Sequence, residues 1–339
     1  MLLSRAAERV GPGTLARSAS EAQNFSSLAR RASLALLAAA VLTLSGCGGS
    51  GGPARNGGGR SYADEVNAAL RQPPETRALA LVKIAYRRAK AKDELGAEET
   101  FQHALAACRE IKDPGALVET YALMAEAHAR LENPSAAQYA ARSAEEAAGR
   151  IRDPEAKSRA LATLAEAQAA AKNPTAALAS LKSAEQTAAT IKNPDGTPDP
   201  YTRVLVLSRI AAAYEAIGKP AESERVFQAA AAQAETLDNE RLRAVSIAEI
   251  GVALAKLKKP DAAARALDQA VAAARKIAKP QPKAYALADV AQRVAGTGQA
   301  AKARQLLEEA DAVAHKVPEA DQQEQTVSKI REMMDELRK

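Results

Sequence analysis

Three histidines (His103, His128 and His315) and two cysteines (Cys47 and Cys108) are the side chains of this chain best suited to hold a metal ion or attack a carbonyl. Their spacing serves neither purpose. No two histidines stand at ligand spacing, so no zinc or metalloprotease set can be assembled from them. Cys108 lies in an alanine-rich stretch and reads as a small buried hydrophobe rather than a nucleophile. There is no glycine loop to cradle a phosphate and no hydrolase elbow. The expectation is a chain that is not an enzyme, with no cofactor and no metal, whose function is binding.

Cys47 stands in a different setting. Arg30 and Arg31 precede an apolar run over residues 32–44, followed by Ser45, Gly46 and Cys47. Positive charge, a short apolar run and small residues are the three parts of a secretory signal. The run falls short of the roughly 20 apolar residues that span a bilayer. Leu44-Ser45-Gly46-Cys47 also resembles the lipobox of bacterial lipoproteins, in which the cysteine is lipidated and becomes the first mature residue. The resemblance implies a signal over residues 28–46, an acylated anchor at Cys47, and a place in the bacterial cell envelope. Several acyl chains together hold a protein stably at a membrane. Gly48, where a retention aspartate would stand, implies sorting to an outer membrane facing the periplasm if the source is Gram-negative. With Cys47 lipidated, Cys108 has no partner for an intrachain disulfide.

Residues 1–27 do not fit such a signal. They are either an upstream start misassigned or a polar pre-extension. Residues 47–60, rich in glycine and serine, have the composition of a flexible tether.

Charge narrows the partners. The chain carries a formal +6, but five of its basic residues and only two acids precede Cys47, so 42 basic against 39 acidic side chains remain beyond residue 46. These are interleaved, the pattern of solvated helix surfaces. With no zinc-finger spacing and no aromatic-rich basic motif, nucleic acid is not an expected partner. Aromatics make up 3% and Trp is absent. An apolar content dominated by alanine favours helices over sheets.

The elements that position any binding surface follow from an internal period. Ile111-Lys112-Asp113-Pro114 recurs as Ile151-Arg152-Asp153-Pro154 and Ile191-Lys192-Asn193-Pro194, while Asn133-Pro134 and Asn173-Pro174 keep the same 40-residue spacing. After six inserted residues, 195–200, the pattern resumes with Leu237, Ile277 and Val317 and with Pro220 and Pro260. Asp or Asn before Pro is a helix-start signal: the side chain accepts an orphan N–H, and Pro lacks one to lose. Two starts per unit predict a helical hairpin, with Gly218 and Gly298 at its turn.

Fixed columns run through the units. A large residue (Leu81, Tyr121, Leu161, Leu207, Ile247, Leu287) is followed four positions on by a small one (Ala85, Ala125, Ala165, Ala211, Gly251, Ala291). In the second helix Ala104, Ala144, Ala184, Ala230, Ala270 and Ala310 form an unbroken alanine column. This order resembles the tetratricopeptide repeat, lengthened from its usual unit, with a varied column (Arg88, His128, Gln168, Tyr214, Leu254, Val294) where that family favours tyrosine.

The resemblance implies an all-α, right-handed superhelical solenoid of about six antiparallel helix hairpins: 74–113, 114–153, 154–199, 200–239, 240–279 and 280–319. Residues 61–73 are expected to form an N-terminal cap and 320–339 a C-terminal capping helix, because a terminal repeat otherwise exposes its stacking face. It also implies that first helices line a concave face, which places Tyr86, Glu126, Arg130, Arg159, Glu166, Glu215 and Tyr285 toward a groove for a protein or peptide partner. The expected function is an interaction scaffold. A component of outer-membrane-protein or pilus assembly machinery, or a binder of a small envelope ligand, are the alternatives.

Overall fold

A computed structural model describes residues 61–336. Cys47, the expected signal and tether, residues 1–27 and the last three residues lie outside the described part.

The asparagine and aspartate side chains that precede proline act as expected. Asp153 accepts from Ala156 N at 2.7 Å, Asn133 from Ala136 N at 3.1 Å and Asn173 from Ala176 N at 3.2 Å, each opening a helix whose first residue is Pro. Asn193-Pro194 departs from this pattern. Its amide donates to Thr197 Oγ1 at 3.1 Å and to the Pro198 carbonyl at 3.0 Å, closing the inserted residues into a turn, and the next helix starts instead at Asp199-Pro200.

Fourteen helices follow one another among the described residues, with no strand. α1 (Tyr62–Leu70) is short. Six hairpins come next: α2 (Pro74–Lys90) with α3 (Glu94–Cys108), α4 (Pro114–Arg130) with α5 (Pro134–Gly149), α6 (Pro154–Ala170) with α7 (Pro174–Ala188), α8 (Pro200–Ala216) with α9 (Pro220–Glu235), α10 (Glu240–Lys256) with α11 (Pro260–Lys276), and α12 (Pro280–Ala295) with α13 (Ala300–Ala314). α14 (Ala320–Glu336) packs on both α12 and α13 and closes the array. Within each hairpin the two helices pack closely, and each first helix stacks on the next: α2 on α4, α4 on α6, and so on to α12. The inserted turn does not interrupt this stacking, since α6 packs on α8 across it. Arg203 of α8 anchors the connection by donating to the carbonyls of Ala189 and Ile191 behind α7.

The columns are the core. All six second-helix alanines are fully buried, as are Ala85, Ala125, Ala165, Ala211 and Ala291. Small residues permit the close approach of two helices, and larger neighbours fill the space between hairpins. At Gly251 the approach is tight, for a Cβ there would lie 2.8 Å from Leu267 Cγ.

Every hairpin turns on a left-handed residue. Gly218 and Gly298 have φ of 74° and 84°, and the equivalent positions Lys92, Glu132, Lys172 and Lys258 adopt φ of 57–63°. Glycine takes this conformation without steric cost, whereas a residue with a Cβ pays about 1–2 kcal/mol. The turn geometry is thus imposed by helix packing on whatever residue stands there.

Candidate partner-binding face

First-helix side chains that point away from the buried columns form one face running across the stacked helices. Its charges include pairs that join α6 to α8 and α10 to α12.

Arg209 of α8 reaches Glu166 of α6 with Nη1 to Oε1 at 2.7 Å and Nη2 to Oε2 at 3.0 Å. Burial works against the Arg209 charge, while Glu166 and then Glu119 hold it above its ordinary range. Glu119 of α4 is open to water, yet the protein mass around it desolvates its carboxyl and raises its pKa, with Arg159 and Arg209 pulling the other way. Glu119, Arg159 and Arg209 thus bring interacting charge from α4, α6 and α8 together.

A second set joins α10 to α12. Arg241 Nε donates to Asp289 Oδ2 at 2.7 Å, and Arg293 Nε donates to Glu249 Oε1 at 3.0 Å, so the two helices exchange charges in both directions. Burial opposes the charge of Arg293, and Glu249 and Asp289 restore it. Arg241 also lies over the Tyr285 ring, 5.0 Å from its centre.

Six of the seven residues expected to face a partner are engaged by neighbouring side chains. Glu166 is held by Arg209, and Glu215 by Lys259 Nζ at 2.6 Å. Tyr285 is covered by Arg241 and lies 3.4 Å from Thr326 Oγ1 of α14. Glu126 and Arg130 pair along one helix at 2.6 Å, and Arg159 lies 3.7 Å from Glu155. Tyr86 of α2 is half-buried against the core. The seven therefore spread along the array and do not form one cluster. Arg209, Glu119, Arg241, Glu249, Asp289 and Arg293 went unnoticed in the sequence. The signal was there: opposite charges recur in first helices one unit apart, at offsets that only helix stacking makes meaningful.

Four members of the varied column share a task. Arg88 donates to Asp93 and Thr100 inside its own hairpin, Gln168 accepts from Ser180 at 2.7 Å, Tyr214 donates to Glu185 at 2.6 Å, and His128 stacks on Phe101 with ring centres 4.2 Å apart. Each joins a first helix to a second helix, by whichever contact its neighbours allow. Cys108 is a free, buried thiol whose pKa burial pushes up to about 11. Among the described residues no three His, Cys, Asp or Glu side chains could together hold a metal ion, and no helix is long and apolar enough to cross a membrane.

The repeated hairpin decides the architecture. The chain is a helical-repeat solenoid. No protein-family model matches the chain, and no curated protein sequence does. Among solved structures, Ton1535 of Thermococcus onnurineus NA1 is similar over 79% of this chain and 98% of its own at 15% identity, with a TM-score of 0.36. A putative kinesin light chain of Podosopora anserina with nearly identical TPR-like repeats matches 61% of this solenoid chain and 98% of its own at 22% identity and a TM-score of 0.30. A Rap protein complexed with competence and sporulation factor covers 81% of this chain and 80% of its own at 14% identity and a TM-score of 0.31.

Proposed function

We propose that the protein is a lipid-anchored interaction scaffold of the bacterial cell envelope, tethered through Cys47 and residues 48–60, that binds a peptide or protein partner along its first-helix face. The reading takes the chain as non-catalytic. The observation that carries the binding half is the charge that α4, α6 and α8 bring together: exposed Glu119, whose carboxyl feels Arg159 and Arg209, beside the Arg209–Glu166 pair. Such groups recognise polar and charged side chains of an extended segment, with arginine a frequent hot spot. The anchoring half rests on the residues before and at Cys47.

One experiment addresses both halves. A photo-crosslinking amino acid replaces Tyr86, Thr163 or, as a second-helix control, Gln228, in full-length protein with Cys47 intact or changed to Ser. The intact protein should fractionate with membranes and crosslink a defined partner from the first-helix positions but not from residue 228. Cys47→Ser should release it from the membrane. Release without effect on crosslinking separates the halves. Crosslinks equal at all three positions would sink the binding reading, and membrane association unchanged by Cys47→Ser would sink the anchor.

A further inference from the structure

From the second hairpin onward, two helix seams hold each hairpin to the element that follows. The first helix stacks on the next first helix or on α14, and the second helix packs there too: α5 on α6, α7 on α8, α9 on α10, α11 on α12 and α13 on α14. The junction between the first and second hairpins has one such seam. There α2 stacks on α4, but the backbones of α3 and α4 stand apart.

A pair of rings separates them. Phe101 of α3 and His128 of α4 are both buried and stack with ring centres 4.2 Å apart, so each side chain holds the other helix off. At the same two registers the later junctions carry Ala141 with Gln168, Leu181 with Tyr214, Phe227 with Leu254 and Leu267 with Val294. None of these pairs puts a ring on both helices, and where the alanine stands α5 packs closely on α6. Small residues permit such an approach and large ones prevent it. A further bridge from α4 to α3 is Tyr121, whose hydroxyl lies against the Cys108 thiol. It too is a long side chain and not a helix seam.

Two seams fix a hairpin against rotation, whereas a single seam leaves an axis. Elements joined by few packed contacts are those that move. We propose that the contact of α2 with α4 is a hinge about which the first hairpin swings against the rest of the array, and that the Phe101–His128 stack is the wedge that keeps it free. The swing tilts α2, with Tyr86, relative to the first helices from α4 onward. It belongs to the free protein and does not depend on a partner.

The test measures distances between paired nitroxides in the full-length protein, attached through ketone-bearing residues so that both cysteines stay native. One pair replaces Gln102 and Arg142, exposed at the same register of α3 and α5, and reads the first junction. The control pair replaces Arg142 and Lys182, at that register of α5 and α7, and reads the second. The distribution for residues 102 and 142 should be the wider. The double variant Phe101→Ala/His128→Gln installs the residues that stand at these registers in the next junction. In it α3 should close on α4, shortening the mean distance between residues 102 and 142 and narrowing its spread to that of the control. Circular dichroism shows whether this variant is folded, and if it is not, the comparison of the two pairs without it decides alone. Equal widths for the two pairs would overturn the hinge. A folded variant that keeps the wide distribution would overturn the ring pair as its cause.

Discussion

Arg209 and Glu166 face each other across the junction of the third and fourth hairpins with both guanidinium arms on both carboxylate oxygens, at 2.7 and 3.0 Å. Their side chains keep 39% and 32% of their surface exposed, so solvent screens much of the attraction. A double-mutant cycle with Arg209→Met and Glu166→Gln should give a coupling of about 0.5–1 kcal/mol, smaller at high salt. A coupling that is zero at low salt would mean the pair only shapes the surface.

The left-handed turn residues offer a route to stability. Lys172 adopts φ of 61° where Gly218 and Gly298 stand in other hairpins. Lys172→Gly should raise the unfolding free energy by up to about 1 kcal/mol, the relief of the Cβ clash less the entropy of a freer unfolded chain. Gly298→Ala should have the opposite sign. Equal and opposite results from thermal melts would show that the turn geometry is set by packing, while a destabilising Lys172→Gly would refute that.

His128 makes the first junction sensitive to acid. Burial lowers its pKa and Glu98 opposes the shift, so the folded state favours the neutral ring more than the unfolded state does. The unfolded chain then binds more protons between the two values, and stability falls as pH drops below about 6.5 through the folded pKa. His128→Phe, which keeps the stack on Phe101, should flatten this part of the profile. The check is the urea midpoint at several values between pH 7.5 and 5. An unchanged acid slope in the variant would assign the loss to other groups.

The hairpin solenoid was legible because its causes are local and repeated. Asp153 before Pro154 opens a helix by its own side-chain bond, and the alanine column from Ala104 to Ala310 marks where two helices touch. Local signals failed at Asn193-Pro194, where the same dipeptide closes a turn because the inserted residues offer Thr197 and Pro198 as nearer partners.

What the sequence determined by itself was helix, period and the buried columns, since these depend on neighbours within one hairpin. It also listed the first-helix charges, but not their use. Glu166, Glu215 and Tyr285 read as free groove residues until stacking put Arg209, Lys259 and Arg241 beside them. Such relationships join residues more than one unit apart, and they exist only once the helices have packed at a particular offset, which no single repeat encodes.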